Sequence, residues 1–127
     1  MNDFVVWLDS EKAAIFALMP TGIERTHLNK SGIDHHTRNK KDRHSDSNSE
    51  HFYRDLAVRL VGAEKILILG PGLSKDRFVS HLETHHSALK IIGVESSDHP
   101  TDKQILAAAR KFFKTYNLFN RPLNPGA

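Results

Sequence analysis

Lys30, Arg38, Lys40, Lys41 and Arg43 fall in one polar stretch, interleaved with His35, His36 and His44. Lysine and arginine at this density suit nucleic-acid phosphate, which they bind by displacing counterions, so the contact weakens as salt rises. The histidines add charge wherever the local potential raises their protonation. The stretch from Asn29 to Ser49 has no aromatic residue, which disfavours base-by-base reading of a single strand. Its expected contact is with RNA backbone or folded RNA shape. Arg54 and Arg59, just beyond, could extend the same face. Asp34, Asp42 and Asp46 dilute the cations, and the only sizeable apolar residue is Ile33. The competing reading is therefore a solvated insertion that cannot offset its own ordering entropy. Loops this long are uncommon in small domains and are usually functional or disordered.

Other residues invite chemistry less strongly. Gly70-Pro71-Gly72 before Ser74 has the look of a strand-to-helix phosphate turn. A Walker loop, however, needs four residues between its glycines and then Lys-Ser/Thr, and Pro71 removes an N–H donor; a structural turn is the favoured reading. His81 and His85 stand four apart on an expected helix, with His86 adjacent, a spacing that lets two imidazoles share a metal. No glutamate follows His81, so the zinc-protease pattern is missing. Leu82 marks the buried side, which places His81 and His85 on partly exposed surface. His35, His36, His44 and Asp46 could gather a metal too, but no rigid element fixes them. Asp9 ends the first strand, where ribonuclease-H-type nucleases hold a metal; Glu24, Asp76 and Glu95 show no spacing that argues for convergence on two ions. Asp9 reads better as a turn-former. Ser10 lacks an identifiable triad. The expectation is no catalytic residue, no metal ligand and no cofactor.

The chain has 127 residues, enough for one domain, and a net charge of +3, too mild an excess to mark a dedicated nucleic-acid binder by itself. Apolar residues are sparse in the 29–49 stretch and the C-terminus, which leaves the remainder able to build a two-sided core. No run approaches the roughly 20 apolar residues of a membrane span. The start MNDFVVWLDSEK lacks the basic n-region of a signal peptide. Absence of cysteine excludes disulfides and thiolate chemistry and fits a cytoplasmic setting.

Three short apolar or alternating runs, Phe4–Leu8, Ala13–Met19 and Ile23–Leu28, separated by Asp9–Lys12 and Pro20–Gly22 turns, predict an antiparallel meander. After the polar stretch the period changes. Phe52, Leu56 and Leu60 recur every four residues, with Ser47 and Glu50 as a capping box and Gly62 as the stop. Ile66–Leu69 reads as a strand buried on both faces. Ser74 caps a helix with Phe78, Val79 and Leu82 inward. Ile91–Val94 reads as another buried strand. Thr101 and Gln104 form a capping box for a helix lined by Ile105, Leu106, Ala109, Phe112, Phe113 and Tyr116. The order β-β-β-loop-α-β-α-β-α gives an α/β fold with a mixed five-stranded sheet, an antiparallel β-meander followed by parallel β-α-β-α, with helices on its faces. Residues 1–116 form the domain, 29–49 its long polar loop, and 117–127 a flexible tail.

The segments VVWLDSEKAAIFAL, the basic loop, HFYRDLAVRL and ILILGPGLSKDRFVSHL together resemble the middle domain of the class-1 release factor and Pelota family of eukaryotes and archaea, and its bacterial relatives. The likeness covers Phe4 to Phe113. Its most specific parts are Leu8-Asp9-Ser10, Gly70-Pro71-Gly72 and Lys75-Asp76-Arg77-Phe78. In release factors of that family the corresponding loop carries Gly-Gly-Gln and promotes peptidyl-tRNA hydrolysis. Here the loop holds only Gly32, and the chain's one glutamine is Gln104. The resemblance therefore implies a non-catalytic domain associated with the ribosome or structured RNA. Lys30, Arg38, Lys40, Lys41, Arg43, His35, His36, His44 and Arg54 would be its RNA-binding residues. The alternatives are a protein-interaction module forming a homodimer and a metal-dependent hydrolase around Asp9 and Gly70–Ser74.

Overall fold

A computed structural model describes residues 2–30 and 45–120. Three strands come first: β1 (Asn2–Leu8), β2 (Lys12–Met19) and β3 (Gly22–Asn29). They are followed by helix α1 (Ser45–Val58), strand β4 (Ala63–Gly70), helix α2 (Ser74–His85), strand β5 (Ile91–Ser96) and helix α3 (Asp102–Asn120). The five strands form one sheet in the order β3-β2-β1-β4-β5. β1–β2 and β2–β3 pair antiparallel, and β1–β4 and β4–β5 pair parallel. This is the mixed α/β sheet the strand and helix periods predict.

Alternation along the central strand builds two cores. Val6 and Leu8 of β1 face one side, where they join Ile66 and Ile68 of β4, Phe52, Tyr53, Leu56 and Ala57 of α1, and Phe78 and Leu82 of α2. Val5 and Trp7 face the other, against Leu67 and Leu69 and the Ile105, Leu106, Ala109 and Phe113 stripe of α3. Successive strand side chains must point to opposite faces, so one apolar run serves both layers. Each fully buried Leu, Ile or Phe side chain contributes about 1.5–3 kcal/mol relative to exposure.

Several boundaries differ from the sequence expectation. α1 begins at Ser45, so the last residues assigned to the polar loop are helical, and Ser47 lies inside the helix rather than at its cap. Polar residues are compatible with helix once Phe52 and Tyr53 anchor the following turns in the core. α1 ends at Val58, and tight turns (Leu60 N–H to Ala57 O 3.0 Å, Ala63 N–H to Leu60 O 3.0 Å) carry the chain to Gly62. Ser74 does not cap α2; Leu73 occupies that position without a side-chain bond. β5 is half-exposed rather than buried, because it is the sheet edge and α3 covers only part of it. The Thr101–Gln104 box forms as the spacing predicts, with reciprocal bonds of 2.9 and 3.2 Å. α3 continues past Tyr116 to Asn120, whose amide donates to the Tyr116 carbonyl. The remainder of the expected tail, 121–127, lies outside the described residues. No described helix is long and apolar enough to cross a membrane.

Candidate functional site

β1, β3, β4 and β5 all end at one edge of the sheet, because β1 is parallel to β4 and β5 and the meander returns β3 to the same direction. In open α/β sheets ligands meet this carboxyl edge. Lys30 closes β3 here: its N–H bonds to the Glu11 carbonyl in the β1–β2 turn at 2.7 Å. α1 enters β4 at the opposite edge. Its 14 residues rise about 21 Å, so its N-terminus points back toward the edge where Lys30 sits.

The turn at this edge is built by Asp9. Its Oδ1 accepts the N–H groups of Glu11 (2.8 Å) and Lys12 (2.9 Å), the local bonding that favours aspartate in turns. A strap from the other side of the sheet completes it. Ser97 N–H donates to the Gly70 carbonyl at 3.0 Å, and Trp7 Nε1–H donates to the Asp98 carbonyl at 2.9 Å. The strap thus crosses the ends of β4 and β1, and it brings His99 over Trp7, ring centroids 5.2 Å apart. Gly70 is required there: a Cβ would fall on the Leu8 carbonyl.

His99 Nδ1 lies 3.0 Å from Asp98 Oδ1 and Nε2 lies 3.2 Å from Asp9 Oδ2. Two carboxylates, one on each ring nitrogen, call for two N–H donors, which only the imidazolium provides. The bonds to Asp98 and then Asp9 accordingly raise the His99 pKa, although the ring is exposed. Burial alone would raise the Asp9 pKa, but the Glu11 and Lys12 N–H groups and His99 outweigh it and hold the carboxyl below its ordinary value. With its oxygens engaged this way, Asp9 acts as the turn-former its residue type suggests. An adjoining cleft lined by Trp7, Lys12, His27, His99 and Asp102 has a volume of about 260 Å³. That is below the roughly 300–1,000 Å³ of small-molecule sites.

The Gly70–Ser74 turn is also committed to itself. Lys75 is buried, and its Nζ donates back to the Gly72 carbonyl at 2.5 Å, with Asp76 Oδ2 at 3.5 Å. A phosphate-binding lysine would face outward.

Of the nine expected RNA-binding residues, Lys30 and Arg54 are described. Lys30 is half-buried at the sheet edge and Arg54 is exposed on α1. Arg38, Lys40, Lys41, Arg43, His35, His36 and His44 lie outside the described residues. Sequence reasoning overlooked His99 and Trp7, and only the placement of His99 just after the last strand hinted at a rim position.

A second cluster corrects the expectation for His81. The residue is buried at 9% exposure, not on partly exposed surface. α1 packs against α2 and covers the ring with Tyr53, whose centroid is 5.9 Å away. Burial disfavours the charged form and lowers the His81 pKa, against an opposing pull from Glu50. His85, one turn on, is exposed, as the pattern predicts.

Structural comparison places this fold beside archaeal translation factors. Archaeoglobus fulgidus Pelota matches with TM-score 0.61 and 14% identity, over 87% of this chain and 31% of that one. Thermoplasma acidophilum Pelota matches with TM-score 0.59 and 21% identity, over 87% and 32%. A chain of the ribosome-bound archaeal Pelota and ABCE1 assembly matches with TM-score 0.64 and 21% identity, over 89% and 33%. Identities this low establish a shared fold. The chain spans about a third of the length of these proteins. No family model matches the sequence, and no curated protein matches it.

Proposed function

We propose that this chain is a non-catalytic, translation-related domain that associates with the ribosome or with structured RNA through phosphate contacts from its basic stretch. The observation that carries the reading is the fold, which over 89% of this chain follows a third of one chain of the ribosome-bound archaeal Pelota and ABCE1 assembly at TM-score 0.64. Two features of the chain support it. The segment bearing Arg38, Lys40, Lys41, Arg43, His35, His36 and His44 is joined to the body at Lys30, on the carboxyl edge of the sheet. The absence of Gly-Gly-Gln argues against peptidyl-tRNA hydrolysis. Arg54, exposed on the helix that follows, offers a further cation to such a contact. A cytoplasmic setting belongs to this reading.

Co-sedimentation with ribosomal particles across a salt series tests it. Five phosphate contacts give a slope of log affinity against log salt of about −3.5 to −4.5. Replacing Lys30, Arg38, Lys40, Lys41 and Arg43 together with alanine should flatten that slope and abolish co-sedimentation at low salt. Retention equal to wild type overturns the reading.

A further inference from the structure

We propose that Glu50, His81 and His85 form a binding site for a divalent transition metal of the zinc class, bridging α1 and α2. His81 and His85 are one helical turn apart, with ring centroids separated by 4.6 Å. Glu50 reaches them from α1, and one donor atom from each of the three residues lies within 4.8 Å of the others. His81 Nδ1 and Glu50 Oε1 are 3.4 Å apart. Two donors each about 2.0–2.1 Å from one tetrahedral ion lie roughly 3.3–3.4 Å apart. That pair therefore already has the separation of two ligands on one ion.

The second, independent observation is His81 itself. The side chain is 7% exposed, and neither ring nitrogen has a hydrogen-bond partner among the described residues. The 3.4 Å approach to Glu50 lacks hydrogen-bond alignment. Buried polar atoms are nearly always satisfied, so an imidazole with both nitrogens orphaned needs an explanation, and an ion supplies one. Tyr53 and Phe78 pack nearby as an apolar wall that fixes the ring. On the other side a groove lined by Glu50, Arg77, Ser80, Thr84 and His85 opens to solvent and gives a path of entry. Two imidazoles and one carboxylate are the donor set of zinc and its neighbours in the first transition row, with a fourth position left for water. The ion would tie α1 to α2 just beyond the basic stretch. The site does not depend on RNA binding.

Calorimetric titration of the metal-free full chain with Zn²⁺ tests the proposal. Wild type should bind one equivalent. Glu50→Gln and His85→Ala, both at exposed positions, should each weaken binding at least ~10-fold, a loss typical of damaged metal sites. Their metal-free thermal melting should match wild type. A His35→Ala/His36→Ala/His44→Ala triple variant should keep the equivalent, and zinc should shift the His81 ring-nitrogen resonances. The proposal is overturned if wild type binds no stoichiometric zinc, if Glu50→Gln and His85→Ala bind like wild type, or if the triple variant alone loses the ion.

Discussion

Replacing Gly70 with alanine should be among the most damaging single-methyl additions in this protein. Gly70 ends β4 at φ +156°, and a Cβ there would occupy the position of the Leu8 backbone carbonyl in the adjacent strand. That obstacle cannot rotate away, because β1 and β4 are in register beside it, Trp7 opposite Leu69. The two strands must separate locally, and the Gly70 carbonyl must move off the Ser97 N–H it accepts at 3.0 Å. Backbone strain of this kind costs about 1–3 kcal/mol. The displaced hydrogen bond adds roughly 0.5–1.5 kcal/mol. The sum, about 1.5–4.5 kcal/mol, is a large share of a typical domain stability of roughly 5–15 kcal/mol. Gly72 provides the control. Its φ is +62°, yet nothing lies within 4 Å of its added Cβ, so Gly72→Ala should cost only about 1 kcal/mol. Urea unfolding followed by far-UV circular dichroism and by fluorescence of Trp7, the single tryptophan, measures both. In a parallel thermal melt Gly70→Ala should lower the midpoint by roughly 5–17 °C. If it unfolds no earlier than Gly72→Ala, the close approach of β4 to β1 is not what sets the identity of this residue.

Other outcomes follow from the same geometry. Thr101→Ala and Gln104→Ala should each lose about 1 kcal/mol, and the double variant less than their sum, because each residue bonds the other's backbone; thermal melts decide it. Gly93→Ala should cost about 1–3 kcal/mol by pressing on the Phe112 ring. Pairing it with Phe112→Leu should recover part of that loss in urea titrations, and strict additivity would contradict the contact. Trp7 fluorescence should titrate with a midpoint above 6.5, since Asp98 and Asp9 favour the protonated His99 ring that lies tilted against it. His99→Gln should abolish that transition. Because the folded pKa is raised, the His99 contribution to stability is fully present below 6.5 and is lost as pH rises through the folded value. A fluorescence signal flat across that range would dispose of the His99–Trp7 arrangement.

The layout of elements was legible because its signals are local. The short apolar runs Phe4–Leu8 and Ala13–Met19 bounded by turns, the four-residue repeat of Phe52, Leu56 and Leu60, and the Thr101–Gln104 spacing each report the conformation of their own segment. The continuous run Ile66–Leu69 told of burial on both faces, which the β1–β4–β5 order then supplied. Features that depend on a neighbour escaped. Ile91–Val94 looks as apolar as Ile66–Leu69, but a strand's exposure is set by its place in the sheet, and β5 is an edge. Ser47 and Ser74 have capping side chains, yet helix starts were decided by where the core anchors the next turn.

The amino-acid order alone determined the fold class, the polar interruption with its cations, and the absence of a Gly-Gly-Gln signature. It could not decide which titratable groups meet. Asp9 and His99 are brought together only because the chain after β5 crosses the ends of β4 and β1. Glu50 and His81 meet only because α1 lies on α2, and that packing buries an imidazole which its own helix pattern leaves in solvent. Periodicity records which face of an element is apolar. Burial, pairing and ligand geometry are properties of two surfaces at once, and the second surface is fixed by topology.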